Sequence, residues 1–317
     1  MATTPIATIE TQHDDMIHDT QLDYYGKKLA TASSDRTVRV FEILGDNQHN
    51  LVESLKGHDG PVWKVAWAHP RFGVLLASCS YDGTVIIRRE SPPQTWSVVH
   101  KHDLHHASVN SIAWAPHELG LMLACASSDG QVSILQHQDD DGWHATFIQD
   151  SKLGCNTVSW APYNSIGSKE EGREFMRLVT GNCDHRVRFW RCAIGETEWH
   201  EEGSAQESAP RHSDWVRDVA WCPGTGMPCN VVASCGEDRV VLIWTQSQSS
   251  GPWSAAEMKT FSAPVWGVSW SVTGHVLAVS SGDVDVSLWK QNLEGTWECI
   301  SKVQDTGPIH THTHTQF

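Results

Sequence analysis

His212, Ser234 and Asp238 are the three residue types of a hydrolytic triad, with Trp244 close behind them. A histidine held between a carboxylate and a hydroxyl can activate that hydroxyl as a nucleophile. Related sets occur at His58, Ser78 and Asp82 and at His105 and Asp129, but Arg88 replaces the tryptophan in the first, and Cys125 and Leu135 stand at the serine and tryptophan places in the second. A triad is needed once. A set that recurs and degrades along the chain fits a structural network, in which histidine joins Asp to a hydroxyl and to the indole N–H, so that polar groups buried between strands are satisfied. The run HTHTHT, His310 to Thr315, resembles a weak metal-ligand tract, but it follows the last apolar segment and is read as part of a flexible tail, 305–317. The nine cysteines contain no C-x-x-C pair and are read as small buried apolar residues in a reducing compartment. No P-loop, G-x-S-x-G or H-E-x-x-H pattern occurs. No catalytic residue, metal or cofactor is therefore assigned.

The elements that carry these sets repeat. Six segments share small residues, an Asp and an alternating strand: TASSDRTVRVF, SCSYDGTVIIR, CASSDGQVSIL, TGNCDHRVRFW, SCGEDRVVLIW and VSSGDVDVSLW. Their aspartates are Asp35, Asp82, Asp129, Asp184, Asp238 and Asp283, separated by 47, 47, 55, 54 and 45 residues. β-branched alternation after a turn-forming Asp is a hairpin signal, and this period is that of a four-stranded propeller blade. The fourth and fifth units carry polar insertions, 164–173 and 224–229, expected as surface segments at a blade tip.

Thirteen of the sixteen tryptophans fall on repeating positions. Trp67, Trp114, Trp160, Trp221 and Trp270 end strand a, with Leu22 at the matching place in the first unit. Trp96, Trp143, Trp199, Trp253 and Trp297 begin strand d, and three more sit on strand c. These are expected to pack between blades with their indole N–H satisfied locally. Trp63, Trp215 and Trp266 stand apart, near the loop leading into strand a, and are candidate partner contacts on the top face.

Six units of four strands leave one strand over. Pro5, Ile6, Ala7, Thr8, Ile9 and Glu10 form a short d-type strand without its own a, b and c. The fold class expected is all-β, a six-bladed open propeller whose seventh blade is completed by a partner. A single domain, 1–304, would hold blades near 11–56, 57–102, 103–150, 151–206, 207–261 and 262–304. The apolar flanks of an open ring would face water until a partner supplying three strands covers them, by β-augmentation over more than about 2,000 Å² in total.

Composition narrows the partners. A formal charge of −15 argues against a general affinity for nucleic acid or anionic lipid. Met1 to Glu10 lacks a basic start followed by an apolar core, no N-x-S/T sequon occurs and no apolar run spans a bilayer, so a cytoplasmic protein is expected.

The stretches DDMIHDTQLDYYGKKLAT, GHDGPVWKVAWAHP, SVNSIAWAPHELGLMLACASSDG, GCNTVSWAP, HSDWVRDVAWCP and TWECIS resemble the Sec-thirteen family of WD-repeat proteins across nearly the whole chain. The resemblance implies the same open ring and a non-enzymatic structural role. It implies two main partners: a Sec-thirty-one type coat subunit in the outer cage of coat protein complex II, built from heterodimer to heterotetramer to polyhedral cage, and a nucleoporin of the Y-shaped nuclear pore subcomplex. It also implies a nutrient-signalling complex at the lysosomal or vacuolar surface. Vesicle coats and exit sites of the endoplasmic reticulum and the nuclear envelope are the places implied, without direct lipid contact. Arg88, Cys125, Leu135 and Ser151 depart from the family's network and touch only internal hydrogen bonds. The competing expectations are another WD-repeat adaptor, for signalling or chromatin, that reads peptides on the top face, and a propeller enzyme with acidic or histidine side chains converging on the channel.

Overall fold

The computed structural model describes residues 8–45, 48–92, 95–138, 142–202, 211–224, 228–249, 251–283 and 286–303. Apart from two short 3-10 turns, Pro70–Phe72 and His117–Leu119, its regular structure is all strand. The first sheet contains β1 (Ile17–Leu22), β2 (Lys28–Ser33), β3 (Val38–Gly45) and β4 (Gln48–Leu55). The second contains β5 (Val62–Trp67), β6 (Leu75–Ser80), β7 (Val85–Ser91) and β8 (Thr95–His102). The third contains β9 (Val109–Trp114), β10 (Met122–Ser127), β11 (Gln131–Gln138) and β12 (Gly142–Gln149). In the fourth, β13 (Cys155–Trp160), β15 (Arg173–Asn182), β16 (Val187–Ala193) and β17 (His200–Glu201) are joined by β14 (Lys169–Glu170) on β15. The fifth contains β18 (Val216–Trp221), β19 (Asn230–Gly236), β20 (Val240–Gln246) and β21 (Ser254–Thr260). The sixth contains β22 (Val265–Trp270), β23 (Val276–Ser281), β24 (Val286–Gln291) and β25 (Trp297–Val303). All pairings are antiparallel, in chain order, so each sheet is a meander and the whole is a six-bladed propeller.

The hairpin between the second and third strands of a blade is set by its Asp. In the second blade Asp82 Oδ1 accepts from Thr84 N at 2.8 Å and Thr84 Oγ1 at 2.7 Å, and Gly83 takes φ 80°. The same backbone capture recurs at Asp35, Asp129, Asp184 and Asp238. A side chain that closes its own turn leaves the alternating strand no choice of register. Alternate residues then bury between blades: Ala30, Ala32, Val38 and Val40 of the first pack on Val62, Val65 and Leu76 of the second.

The insertion at 164–173 departs from expectation. It forms the β14–β15 hairpin, and its first half folds down: Ser168 is buried, and a Cβ at Gly167 would sit 3.0 Å from Arg177 Nη1 and 3.1 Å from Ser249 O. Polar composition suggested solvent because a buried partner, Arg177, lies on the following strand. In the other insertion, 225–227 lie outside the described residues. So do Pro5, Ile6 and Ala7 of the expected orphan strand and the tail from 304 onward, with its His-Thr run. Thr8, Ile9 and Glu10 are described and belong to no strand.

Candidate partner interface at the open flanks

The His/Ser/Asp sets are built into the blades. His212 Nδ1 lies 2.9 Å from Asp238 Oδ2 and its Nε2 lies 2.8 Å from Ser234 Oγ, which also accepts from Trp244 Nε1 at 2.8 Å. His212, Ser234 and Trp244 are buried, so the hydroxyl meets an indole and an imidazole instead of a substrate. His58 contacts Asp82 at 3.3 Å and Ser78 Oγ at 2.8 Å, and Arg88 Nη1 donates to Ser78 at 3.2 Å, taking over the role of the missing indole. His105 contacts Asp129 at 2.9 Å and replaces the absent serine at Cys125 with Ser133 of β11, at 2.8 Å. A further set was missed in sequence. His13 Nδ1 sits 2.7 Å from Asp35 Oδ2 and its Nε2 2.7 Å from Thr31 Oγ1. Burial pushes the Asp35 carboxyl up, but hydrogen bonds from Thr37 and His13 outweigh it and hold the group at about 2. At the fourth blade, where Ser151 stands in place of histidine, Asp150 takes Asn182 Nδ2 at 3.2 Å and Arg188 at 3.3 Å.

One buried histidine stands outside these networks. His102 is 3% exposed, its Nε2 has no hydrogen-bond partner, and its ring lies edge-on to His105 at 5.2 Å. Burial, then the neighbouring His105 and His100, depress it to about 4. Because the folded value lies below the ordinary 6.5, the unfolded chain binds the extra proton first, so stability is full above pH 6.5 and falls as the pH drops toward 4. The contribution, reduced for solvent screening, is about 2 kcal/mol. Urea melts of His102→Asn at pH 7 and pH 5 should show a pH dependence smaller by about 1 kcal/mol than the unaltered chain, roughly half of the contribution, because the loss is complete only below about pH 4. An unchanged difference would remove His102 as a cause.

The tryptophans tie one blade to the one before it. Trp67, Trp114, Trp160 and Trp270 donate their indole N–H to the carbonyls of Gln21, Ala66, Ala113 and Ala220, at 2.9 to 3.0 Å. The acceptor is always the penultimate residue of the preceding inner strand, so these four bonds run between blades, whereas Trp190, Trp244 and Trp289 donate locally, within their own blade, to Thr180, Ser234 and Ser287. Trp63 is half-buried and donates to Ser108 Oγ of the next blade at 2.8 Å, whereas Trp215 and Trp266 are 45% and 50% exposed. Among the cysteines, Cys79, Cys125, Cys155 and Cys235 are fully buried, and burial pushes the Cys125 thiol up to about 12. Cys299 is exposed, against the expectation of burial, because its strand is the outermost of the last blade.

The inner strands touch in the order β1, β5, β9, β13, β18, β22, and among the described residues β22 and β1 share no contact of comparable extent. The burial of matching positions makes the difference plain. At the start of the inner strand, Val62, Val109, Cys155, Val216 and Val265 are all 0% exposed, while Ile17 of the first blade is 37% exposed. At the start of the third strand, Val38, Val85, Val132 and Val241 are 0% exposed, while Val286 of the sixth blade is 38% exposed. Leu22, in place of a tryptophan, is 58% exposed, and Ala278 and Leu288 are half-buried where their counterparts are buried. A cavity of about 1040 Å³ runs along the channel and reaches both flanks, lined by Ile17 to Leu22 on one side and by Ala278, Ser280 and Val286 on the other. Each strand here has the residues of a core position and lacks its neighbour. The sequence signal was Leu22; nothing in the sixth repeat marks Val286 as different from Val241.

Six meander blades, with Asp-closed hairpins in five and His–Asp pairs in four among the described residues, define a WD-repeat β-propeller. Residues 3–42, 49–88 and 205–245 match the family model described as WD domain, G-beta repeat, and 74–162 match the Anaphase-promoting complex subunit 4 WD40 domain. The chain belongs to the SEC13 family. It is 50% identical to Protein SEC13 homolog of Homo sapiens over 94% of this chain and 93% of that protein, and 53% identical to Protein transport protein SEC13 of Pyricularia oryzae over 92% and 100%. Protein transport protein SEC13 of Yarrowia lipolytica is 46% identical over 95% and 100%.

Proposed function

We propose that this chain is a scaffold subunit of protein transport that accepts an inserted blade between its sixth and first blades. The observation that carries it is the paired exposure of Ile17 and Val286 at positions buried in every blade with two neighbours, apart from a half-buried Val187 in the fourth. Covering the exposed third of each of these two side chains stabilises an assembly by roughly 0.5–1 kcal/mol each. The relatives named for protein transport support the transport role. The specific assemblies proposed are the outer cage of coat protein complex II with a Sec-thirty-one type subunit, at endoplasmic reticulum exit sites, and the Y-shaped nuclear pore subcomplex, with a nutrient-signalling complex as a third setting.

The two flanks ask different chemistry of the insert. Ser269 occupies the place of the carbonyls that accept an indole from the following blade, so the insert's inner strand should end in a tryptophan or another side-chain N–H donor. Leu22 carries no donor, so the insert needs no acceptor on its other side. Pro5 to Glu10 is proposed to be its fourth strand. The test places a photo-crosslinking phenylalanine analogue at Leu22 in one protein and at Val286 in another. Both should crosslink to one segment of one polypeptide, long enough for three strands. Crosslinks to two unrelated proteins, or a monodisperse free monomer as the only cellular species, would overturn the proposal.

A further inference from the structure

We infer that the channel rim above the fifth blade is a second interaction surface, which takes an acidic segment of a partner protein. Three observations meet there. Trp215 and Trp266 are half exposed, and the Arg217 guanidinium lies between them, 5.1 and 5.2 Å from the two ring centroids. Arg217 is itself fixed by two hydrogen bonds to Glu237 Oε1, so this aromatic sandwich is held rigid in the free protein. A preorganised aromatic surface loses little freedom on binding.

The second observation concerns the turn residue that follows the blade Asp. In the second and third blades it is Gly83 and Gly130, and at Gly130 an added Cβ would lie 2.0 Å from Ser151 O. The fourth and fifth blades hold His185 and Arg239 there, both at φ 67°, in the left-handed region that disfavours side chains. Arg36 does the same in the first blade, at φ 68°. A cationic side chain kept where glycine is easier points to a use for it.

Charge is the third. His185, Arg186, Arg188 and Arg211 line one depression between the fourth and fifth blades, with Glu201 its one carboxylate. Arg211 adjoins His212, whose partner Asp238 precedes Arg239. Arg186, Arg211 and Arg239 are exposed, and Arg186 and Arg239 have no ion pair among the described residues. Three of the carboxylates nearby are engaged, Asp184 by Arg188, Glu237 by Arg217 and Asp238 by His212, which leaves Asp214 and Glu201 exposed against the three exposed arginines. A local positive strip on a chain of net charge −15 suits a short acidic segment, which feels the strip; a long polyanion would feel the whole field. Carboxylates would meet Arg239 and Arg186, and an apolar side chain would lie on Trp266.

The probe is a fluorescein-labelled twelve-residue peptide of six Glu and Asp around one Phe, with its Gln and Asn counterpart, titrated by anisotropy against the full chain. The acidic peptide should bind at least about 10-fold tighter than the neutral one, and more weakly as salt rises. Arg239→Gly should weaken it about 3-fold while raising the melting temperature, because it removes a strained side chain, and Trp266→Ala should weaken it about 10-fold. Val286→Glu, on the open flank, should leave peptide affinity unchanged, which separates this surface from blade insertion. Equal binding of the two peptides, indifference to both rim substitutions, or a twelve-nucleotide RNA that binds tighter than the peptide through Arg239 would each overturn the inference.

Discussion

Arg177→Ala is expected to destabilise the fold by about 3–5 kcal/mol, the cost of leaving a buried charge without its partner. The Arg177 side chain is 0% exposed. Its Nε donates to Glu202 Oε1 at 2.7 Å, a second bond from Nη2 reaches Glu202 Oε2, and Nη2 also donates to Gln246 Oε1 at 2.8 Å. Nη1 donates to the Ile166 carbonyl, to which Asn230 Nδ2 donates at 2.8 Å. The guanidinium covers Trp221 at 5.2 Å and approaches Trp253, which is 0% exposed and stacks on Phe189 at 3.7 Å. One residue of the fourth blade thus binds that blade's outer end, its insertion and two strands of the fifth. Removal strands the Glu202 carboxylate, whereas Gln246 keeps its bonds with Asn230 and Gly251. Urea unfolding of Arg177→Ala, with the double variant Arg177→Met, Glu202→Leu, provides the check. The double variant should recover most of the loss, since an apolar pair replaces an ion pair at little cost. A single-variant loss under about 1 kcal/mol would mean that water reaches the site.

The same substitution made at two matching positions should have opposite consequences. Val241→Glu buries a carboxylate against Ala233 and Val265 with nothing to pair it, and should cost at least about 4 kcal/mol and leave little folded protein. Val286→Glu occupies the matching place in the last blade, where the side chain is 38% exposed, so the carboxylate reaches water and the isolated chain should lose no more than about 0.5 kcal/mol. In cells its effect should be large: assembly with the blade-donating partner weakened at least about 100-fold, near 3 kcal/mol, because the insert would bury that charge. Co-purification and circular dichroism on the two variants distinguish these outcomes. If Val286→Glu assembles normally, the sixth flank is not the insertion surface.

The propeller was legible because its signals are local. Asp82 closes its own turn with Thr84, and that short-range chemistry occurs in five blades among the described residues, with the period of a blade. The tryptophan ending strand a was legible as a marker, but its bond was not, since Trp114 reaches the Ala66 carbonyl across a blade boundary that no spacing rule specifies. Degraded repeats hid the substitutions that rescue them. His105 turned to Ser133, on the next strand, when Cys125 could not serve, and His13 was overlooked because its unit lacks the tryptophans that located the others. Arg177 was invisible for a different reason: a charged residue in an apolar strand looks like a solvent-facing position, and its partner Glu202 lies beyond the blade's last strand. The exposure of Val286 belongs to no residue at all. It is a property of what stands, or does not stand, beside the sixth blade.

The indole bonds to backbone carbonyls between blades all point the same way, from a blade to its predecessor. The two ends of the ring are consequently unlike, with an acceptor carbonyl at Ser269 and no donor at Leu22. Two copies meeting through these ends could do so only head to tail, a heterologous contact that propagates instead of closing into a dimer. An insert that fills the gap would therefore act also as a terminator, holding each copy back from becoming the template of a fibre.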